Sequence, residues 1–423
     1  MGTLAASVLA MVAIRVPLSF ALLLGCLVFV IAGRHIDPIV LPQTMFAGMD
    51  SFLLLAVPLF LLSGNIMSRT SLTLRLTQFV TAWVGHLRGG LSQVAVVTNL
   101  FMSGISGSAT VDAVTSTTLL VPGMRQAGYQ PAFAAALNSA ASTLGPLMPT
   151  SIILLVYASV ASVSAAKLFL GGLLPALTIT AFLMAYGYRH ARRTGIAVPA
   201  AATWRERGVS TLRAVPALMM PLIIVGGIVG GIFTPTEASA VAAFYAVALG
   251  MFGLRELGPA RLMRVLSETA ATCGVIMLLI AATNVMTWLL IVNGVGSAIV
   301  HLFEPIRAMP WLVMLVINVV LLLLGLVLEP IPMIMLVVPL LLPLIKSIGI
   351  DPLHFGIVVT FNTTLALIHP PFGLVMFVTA KIANVTVEDF TRAVLPLLGV
   401  LLIALGFITY VPSLSLFLPS LLR

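Results

Sequence analysis

Ser103-Gly-Ile-Ser-Gly-Ser-Ala-Thr-Val-Asp112 is the most polar stretch inside the apolar first half of this chain, and its place in the sequence decides how the fold is read. Its first glycine, Gly104, recurs as Gly325, an offset of 221 (325 − 104). Pro122, Gly128, Pro131, Thr143, Leu144, Pro149 and Pro175 recur at the same offset as Pro343, Gly349, Pro352, Thr364, Leu365, Pro370 and Pro396. Glycine and proline dictate backbone shape, so a shared, gap-free spacing of both implies two copies of one structural unit.

The unit is embedded in lipid-like sequence. Hydrophobic residues make up 60% of the chain and charged residues 8%, with a mean hydropathy of +1.18. A bilayer accommodates that much apolar surface and a soluble core does not. At roughly 20 residues per span there is room for about a dozen passes. The net charge of +9 lies in short loops without any nucleic-acid-binding motif, so it reads as an orientation signal and not as a nucleic-acid surface. Arg189, Arg192, Arg193, Arg205, Arg207 and Arg213, opposed only by Glu206, place a basic linker (189–213) in the cytoplasm between a first half (1–188) and a second (214–423). Cys26 and Cys273 stand alone in apolar runs and read as small packing residues. The first apolar run, 4–32, exceeds the length of a signal-peptide core and reads as a retained span.

Stretches 106–122 and 328–345 sit at matching places in the two copies and are bounded tightly by turns. They are expected to be helical hairpins that enter the membrane and return on one side, which requires protein or trapped water around their tips. Segments 69–88 and 290–309 read as amphipathic arms; the first carries three Arg and no acid, the second one Arg and one Glu, so opposite faces and inverted repeats are expected. Ordinary loops are the alternative.

Within the quoted stretch, small residues let a helix unwind and expose carbonyls and hydroxyls, donors suited to a hard monovalent cation. Small-residue helix packing uses the same residues. Asp112 favours the functional reading, because a carboxylate within the membrane is costly. Pro146 and Pro149 break the next helix near 145–149, and Pro370 and Pro371 break its counterpart near 366–371. Glu329, followed by Pro330 and Pro332, opens the second hairpin. Paired broken helices facing hairpin tips are how secondary transporters build midplane sites. Arg125 and Lys346 could attract an anion or snorkel to the interface. His369 could titrate, bind solute or simply pack. Gly104-Ile-Ser-Gly107 also matches the G-x-S-G of rhomboid-type intramembrane serine proteases, with His369 as a notional base, but that reading leaves the repeat unexplained.

Three stretches carry a family likeness: the first hairpin with its break, Gly231-Ile-Phe-Thr-Pro-Thr-Glu-Ala-Ser-Ala240, and the run from Leu328 through Gly349-Ile-Asp-Pro-Leu-His-Phe-Gly356 to Pro370-Pro-Phe-Gly373. Together they resemble the large membrane subunit of the tripartite ATP-independent periplasmic (TRAP) transporters, the DctM-like family. The resemblance implies an elevator-type transporter of the bacterial inner membrane, all-α and polytopic, with inverted repeats. It implies Na+ as the coupling ion without ATP, and a small carboxylate as solute. A separate four-helix membrane subunit and a periplasmic solute-binding protein would complete the system. Residue by residue, it puts one Na+ at Ser106, Gly107, Ser108, Ser142, Thr143, Gly145 and Met148. A second falls near Gly325, Glu329, Thr363, Thr364 and Ile368. Asp112, Arg125 and His369 remain candidates for charge or solute. His369 departs from the threonine expected before the paired prolines. A stand-alone divalent-anion/Na+ symporter of similar architecture is the alternative.

Overall fold

The structure, a computed structural model, describes residues 2–33 and 36–422, and these are helical with no strand among them. The repeat is visible in the element boundaries. We label the helices of its two copies α1 (Gly90–Ser106), α2 (Ala109–Gln126), α3 (Pro131–Ser142), α4 (Ile152–Ala161) and α5 (Ala165–Thr194), then α6 (Pro310–Leu324), α7 (Pro330–Ser347), α8 (Pro352–Leu365), α9 (Leu374–Ala383) and α10 (Val387–Tyr410). α2 and α7 coincide at both ends under the offset (330 − 109 and 347 − 126 are both 221). Prolines open α3, α6, α7 and α8, where the missing N–H has no helical partner to lose.

α1 and α2 form an antiparallel hairpin. Its two residues of reversal are Gly107 and Ser108, and its base is closed by the Tyr129 hydroxyl donating to the Gly89 carbonyl. Leu91, early in α1, lies 3.8 Å from a Cβ built on Gly123, late in α2. The expected hairpin at 106–122 therefore covers only the returning arm. The outgoing arm is α1, whose apolar run looks in sequence like an ordinary span. Stretch 328–345 is likewise a single helix, α7, but α6 before it does not pack along it as an arm: α6 lies on α8, and α7 lies on α4, α8 and the helix Pro259–Val292.

The two copies clasp each other reciprocally. α4 packs on α7 and α8, while its counterpart α9 packs on α2 and α3. Ser139 of α3 and Thr379 of α9 are joined hydroxyl to hydroxyl at 2.8 Å, and Tyr157 of α4 donates to the carbonyl of Pro352 at the head of α8, 2.5 Å away. Reciprocal contacts of this kind describe a local two-fold relation.

Among the described residues, seven helices, or eight if the pair Val40–Met49 and Phe52–Ser68, bent by 62°, is one span, are long and apolar enough to cross a membrane. This is fewer than a division of length by span size suggests, because breaks at Gly and Pro leave apolar helices of 10–17 residues such as Leu374–Ala383 and Pro310–Leu324. The basic segment 189–213 is mostly helical. Arg192 and Arg193 lie in the last turn of α5, where the dipole favours cations, and Thr203 with Glu206 forms a capping box that starts the helix Trp204–Val229.

Candidate functional site

The tip of the first hairpin is shaped by one glycine. Gly107 has φ = +61°, a left-handed conformation that ends α1, and a Cβ there would meet the Thr150 carbonyl oxygen at 2.2 Å. Only glycine permits both the turn and the approach. Ser108, extended at φ = −128°, caps α2 by accepting from the Val111 amide.

Asp112, in the first turn of α2, points back at this tip. One carboxylate oxygen accepts from the Ser106 hydroxyl at 2.5 Å and the other from the Ser103 hydroxyl at 3.1 Å. Ser106 in turn accepts from the Ser108 amide at 3.2 Å. Asp112 is completely buried, and no Lys, Arg or His side chain pairs with it among the described residues. A carboxylate in that position requires a proton or a bound cation, since two hydroxyl bonds do not offset the desolvation of a full charge.

The break after α3 is docked onto the tip. A Cβ on Gly145 would lie 3.0 Å from the Ala109 nitrogen and 3.2 Å from Asp112 Oδ2, and Met148 Cε sits 3.4 Å from a Cβ built on Gly104. Thr150 donates to the Ser103 carbonyl at 3.1 Å. Pro146 has no N–H to offer the Ser142 carbonyl, the partner it would take in an unbroken helix. Ser142 and Thr143 are buried here, but their hydroxyls bond back to the Ser139 and Ala140 carbonyls. Of the first expected set, then, Ser106, Gly107, Ser108, Gly145 and Met148 gather around the tip that holds Asp112, while the Ser142 and Thr143 side chains turn back into α3. Behind the tip, Ser106 and Asp112 border a cavity of about 10 Å3 against Gly64 and Met67, about the space of one water. Leu72, Leu76, Met102, Ile105 and Val111 also line it, and none of the residues of the break at 142–150 borders it.

Sequence reading missed Ser103, Thr150 and Gly64. A Cβ on Gly64 would meet Ser106 Cα at 3.2 Å, so the helix Ala56–Ser68 presses on the tip through a glycine. No local signal marks that contact.

The second set is more open. Gly325 abuts Ala366, with 2.5 Å between the alanine Cβ and one built on the glycine. Gly325, Glu329, Ala366 and Leu367 border a cavity of about 430 Å3. Glu329 is exposed, occupies the N-cap of α7 and makes no side-chain cap bond. Thr363 and Thr364 are buried and both bond to the Thr360 carbonyl. The Leu367 carbonyl, which Pro371 cannot engage, is taken up by the Val375 and Met376 amides at 3.0 and 3.4 Å. Ile368 is buried. His369 turns its Nδ1 to the Pro370 carbonyl, 2.5 Å away, across a cis Pro370–Pro371 bond.

Arg125 is not part of either set. It is exposed near the far end of α2, 16 residues (125 − 109) and about 24 Å from the tip at 1.5 Å per residue. The Ser106 hydroxyl is committed to Asp112 and His369 to its own neighbour, so the two do not form a nucleophile–base pair.

The family likeness rests on three stretches of sequence, and comparison with known sequences decides the family. The profile of the "Tripartite ATP-independent periplasmic transporter, DctM component" matches residues 5–414. The chain belongs to the DctM family of TRAP transporter permeases. The sialic acid TRAP transporter large permease protein SiaM of Vibrio cholerae is 35% identical over 96% of this chain and 95% of its own length. The C4-dicarboxylate TRAP transporter large permease protein DctM of Pseudomonas aeruginosa is 37% identical over 89% of this chain and 88% of its own. Among solved structures, that of the Alcanivorax borkumensis YdaH transporter is similar with a TM-score of 0.57, over 87% of this chain and 86% of that one. At 15% identity that likeness concerns the fold alone. As a DctM permease, the chain is a multi-pass membrane transport protein.

Proposed function

We propose that this permease is the large subunit of a Na+-coupled uptake system of the bacterial inner membrane, which takes a small carboxylate from a periplasmic solute-binding protein. The family is tripartite by description, so a small four-helix membrane subunit and that receptor are its partners. Two relatives are named for sialic acid and for C4-dicarboxylates, both carboxylates.

The observation that carries the coupling is the buried, unpaired Asp112 gathered with Ser103 and Ser106 at a tip that only glycine allows. Na+ as co-transported cargo would neutralise that carboxylate and hold the tip against the break at 145–150. The second cation falls at Gly325, Glu329, Thr363, Thr364 and Ile368, beside the larger cavity, where the solute anion has room. Both hairpins are then re-entrant, the repeats inverted, and the body formed by α1 to α10 slides as an elevator against the remaining helices.

Reconstitution into liposomes with the small subunit and the receptor tests this. Inward Na+ gradients should drive solute accumulation only when the receptor is present. Receptor-independent accumulation would support the stand-alone symporter, and flux that never runs uphill would support a passive channel.

A further inference from the structure

Within the basic segment 189–213, Arg207 is held by rings and not by an acid. Its guanidinium carbon lies 5.0 Å from the centre of the Trp204 ring and 5.5 Å from that of Trp83. The two rings meet edge to face, with centres 6.3 Å apart and planes at 79°. Trp83 Nε1 donates to the Thr211 hydroxyl at 3.0 Å, which ties the end of the arm helix Leu72–Val84 to the helix Trp204–Val229. Arg207 forms no ion pair among the described residues. Its neighbour Glu206 turns back onto Thr203 in the capping box. The Arg207 Nε is buried without a partner, whereas the terminal nitrogens are neither buried nor bonded to protein among the described residues. They therefore reach the surface beside two exposed indoles. A guanidinium resting on aromatic rings keeps its planar edge free for an oxyanion.

The same helix continues this cluster as an apolar strip. Val215, Leu222 and Val229 follow Trp204 by 11, 18 and 25 residues (215 − 204, 222 − 204, 229 − 204). At 3.6 residues per turn these are close to three, five and seven whole turns, so the four side chains share one line along the helix. All four are exposed. Arg207 stands seven residues (214 − 207), about 10 Å, before Ala214, from which the helix runs to Val229 without a charge. The cation and its rings thus sit at headgroup level, where Trp concentrates, and the strip lies beside the hydrocarbon.

We propose that Arg207 binds the phosphate of an anionic phospholipid, its terminal N–H groups on the phosphate oxygens, the Trp83 and Trp204 rings framing the headgroup, and an acyl chain on the strip from Val215 to Val229. Free phosphate presents the same oxygens from solution. The lipid would sit where the arm helix meets the helix after the basic segment. The inference rests on the membrane reading of the chain but not on Na+ coupling or on the solute, and its readout is not uptake.

The test is native mass spectrometry of the delipidated full chain with phosphatidylglycerol or phosphatidylcholine, alone and with inorganic phosphate as competitor. Phosphatidylcholine carries its own cation beside the phosphate and should bind about tenfold more weakly than phosphatidylglycerol, the scale of one charge-assisted hydrogen bond. Arg207→Gln should remove that preference. Arg205→Gln takes the same charge from a position two residues away, about 200° around the helix, and should leave the preference intact. Trp204 is exposed, so Trp204→Leu, which should also weaken phosphatidylglycerol binding, decides the matter if Arg207→Gln does not fold. Competition by inorganic phosphate, lost in Arg207→Gln, supports the site with a soluble source; lipid binding that phosphate does not disturb supports it with the membrane as source. Equal retention of the two lipids by the unaltered chain, equal effects of Arg205→Gln and Arg207→Gln, or indifference to Trp204→Leu would overturn the proposal.

Discussion

Ser108 and Glu329 occupy one place in two copies, each the N-cap of a returning helix, 221 residues apart (329 − 108). Ser108 caps its helix and sits against the buried Asp112 cluster, whereas Glu329 caps nothing and faces a cavity of about 430 Å3. The two tips have diverged, with the negative charge buried one turn inside the first helix and exposed at the head of the second.

Glu329→Gln should therefore leave folding intact, because no protein group depends on the carboxylate. If Glu329 serves the second cation, the variant needs more Na+ for half-maximal uptake, by about tenfold for one lost charge contact. Thermal melting and uptake titrated with Na+ separate the two effects. An unchanged Na+ requirement would remove Glu329 from the site.

Gly107→Ala should be damaging out of proportion to its size. The left-handed turn costs a residue bearing a Cβ about 1 kcal/mol or more, and the 2.2 Å approach to the Thr150 carbonyl adds a clash with backbone that cannot swing aside. We expect loss of uptake; because the helix Ala56–Ser68 and the break after α3 both pack on the tip, thermal melting run beside uptake separates local distortion from unfolding. Gly128→Ala also sits at positive φ, +92°, but has open space around it, so it isolates the backbone contribution.

Asp112→Asn and Asp112→Ala should differ. Asparagine keeps a carbonyl for Ser103 or Ser106 and removes the charge, so stability holds while Na+ dependence falls. Alanine leaves two buried hydroxyls without their acceptor, costing about 1–3 kcal/mol each where no water replaces it. Denaturant or thermal unfolding in detergent, run beside uptake, measures both.

Arg125→Gln should be silent in Na+ dependence and in solute affinity, because its head lies at the base of the hairpin, about 24 Å along α2 from the tip. A raised solute requirement in uptake would show that the long side chain reaches the permeation path.

Much of this was legible in sequence for one physical reason. Gly and Pro set turns locally, so their repeat at fixed spacing carries the duplication, and the breaks between Ser142 and Ile152 and between Leu365 and Leu374 follow from Pro146, Pro149, Pro370 and Pro371. The limits of the hairpins were not legible. Apolar composition does not distinguish an arm that stops at a tip from a helix that crosses, so α1 read as a span and its partner α2 as the whole hairpin. Asp112 stood out by its cost, whereas Gly64, Thr150 and the Leu367 carbonyl took their roles from packing between distant segments. Polar sequence near a break also overstates the ligands on offer: Thr363 and Thr364 spend their hydroxyls within their own helix.

Hydrogen–deuterium exchange of the full chain in Na+ against K+ at equal ionic strength addresses the coupling most directly. The account predicts that Na+ slows exchange at 103–112 and 143–150, and at 325–331 with 363–369, and that Asp112→Asn removes the first effect while sparing the second. Exchange at these segments that is the same in both salts would contradict it.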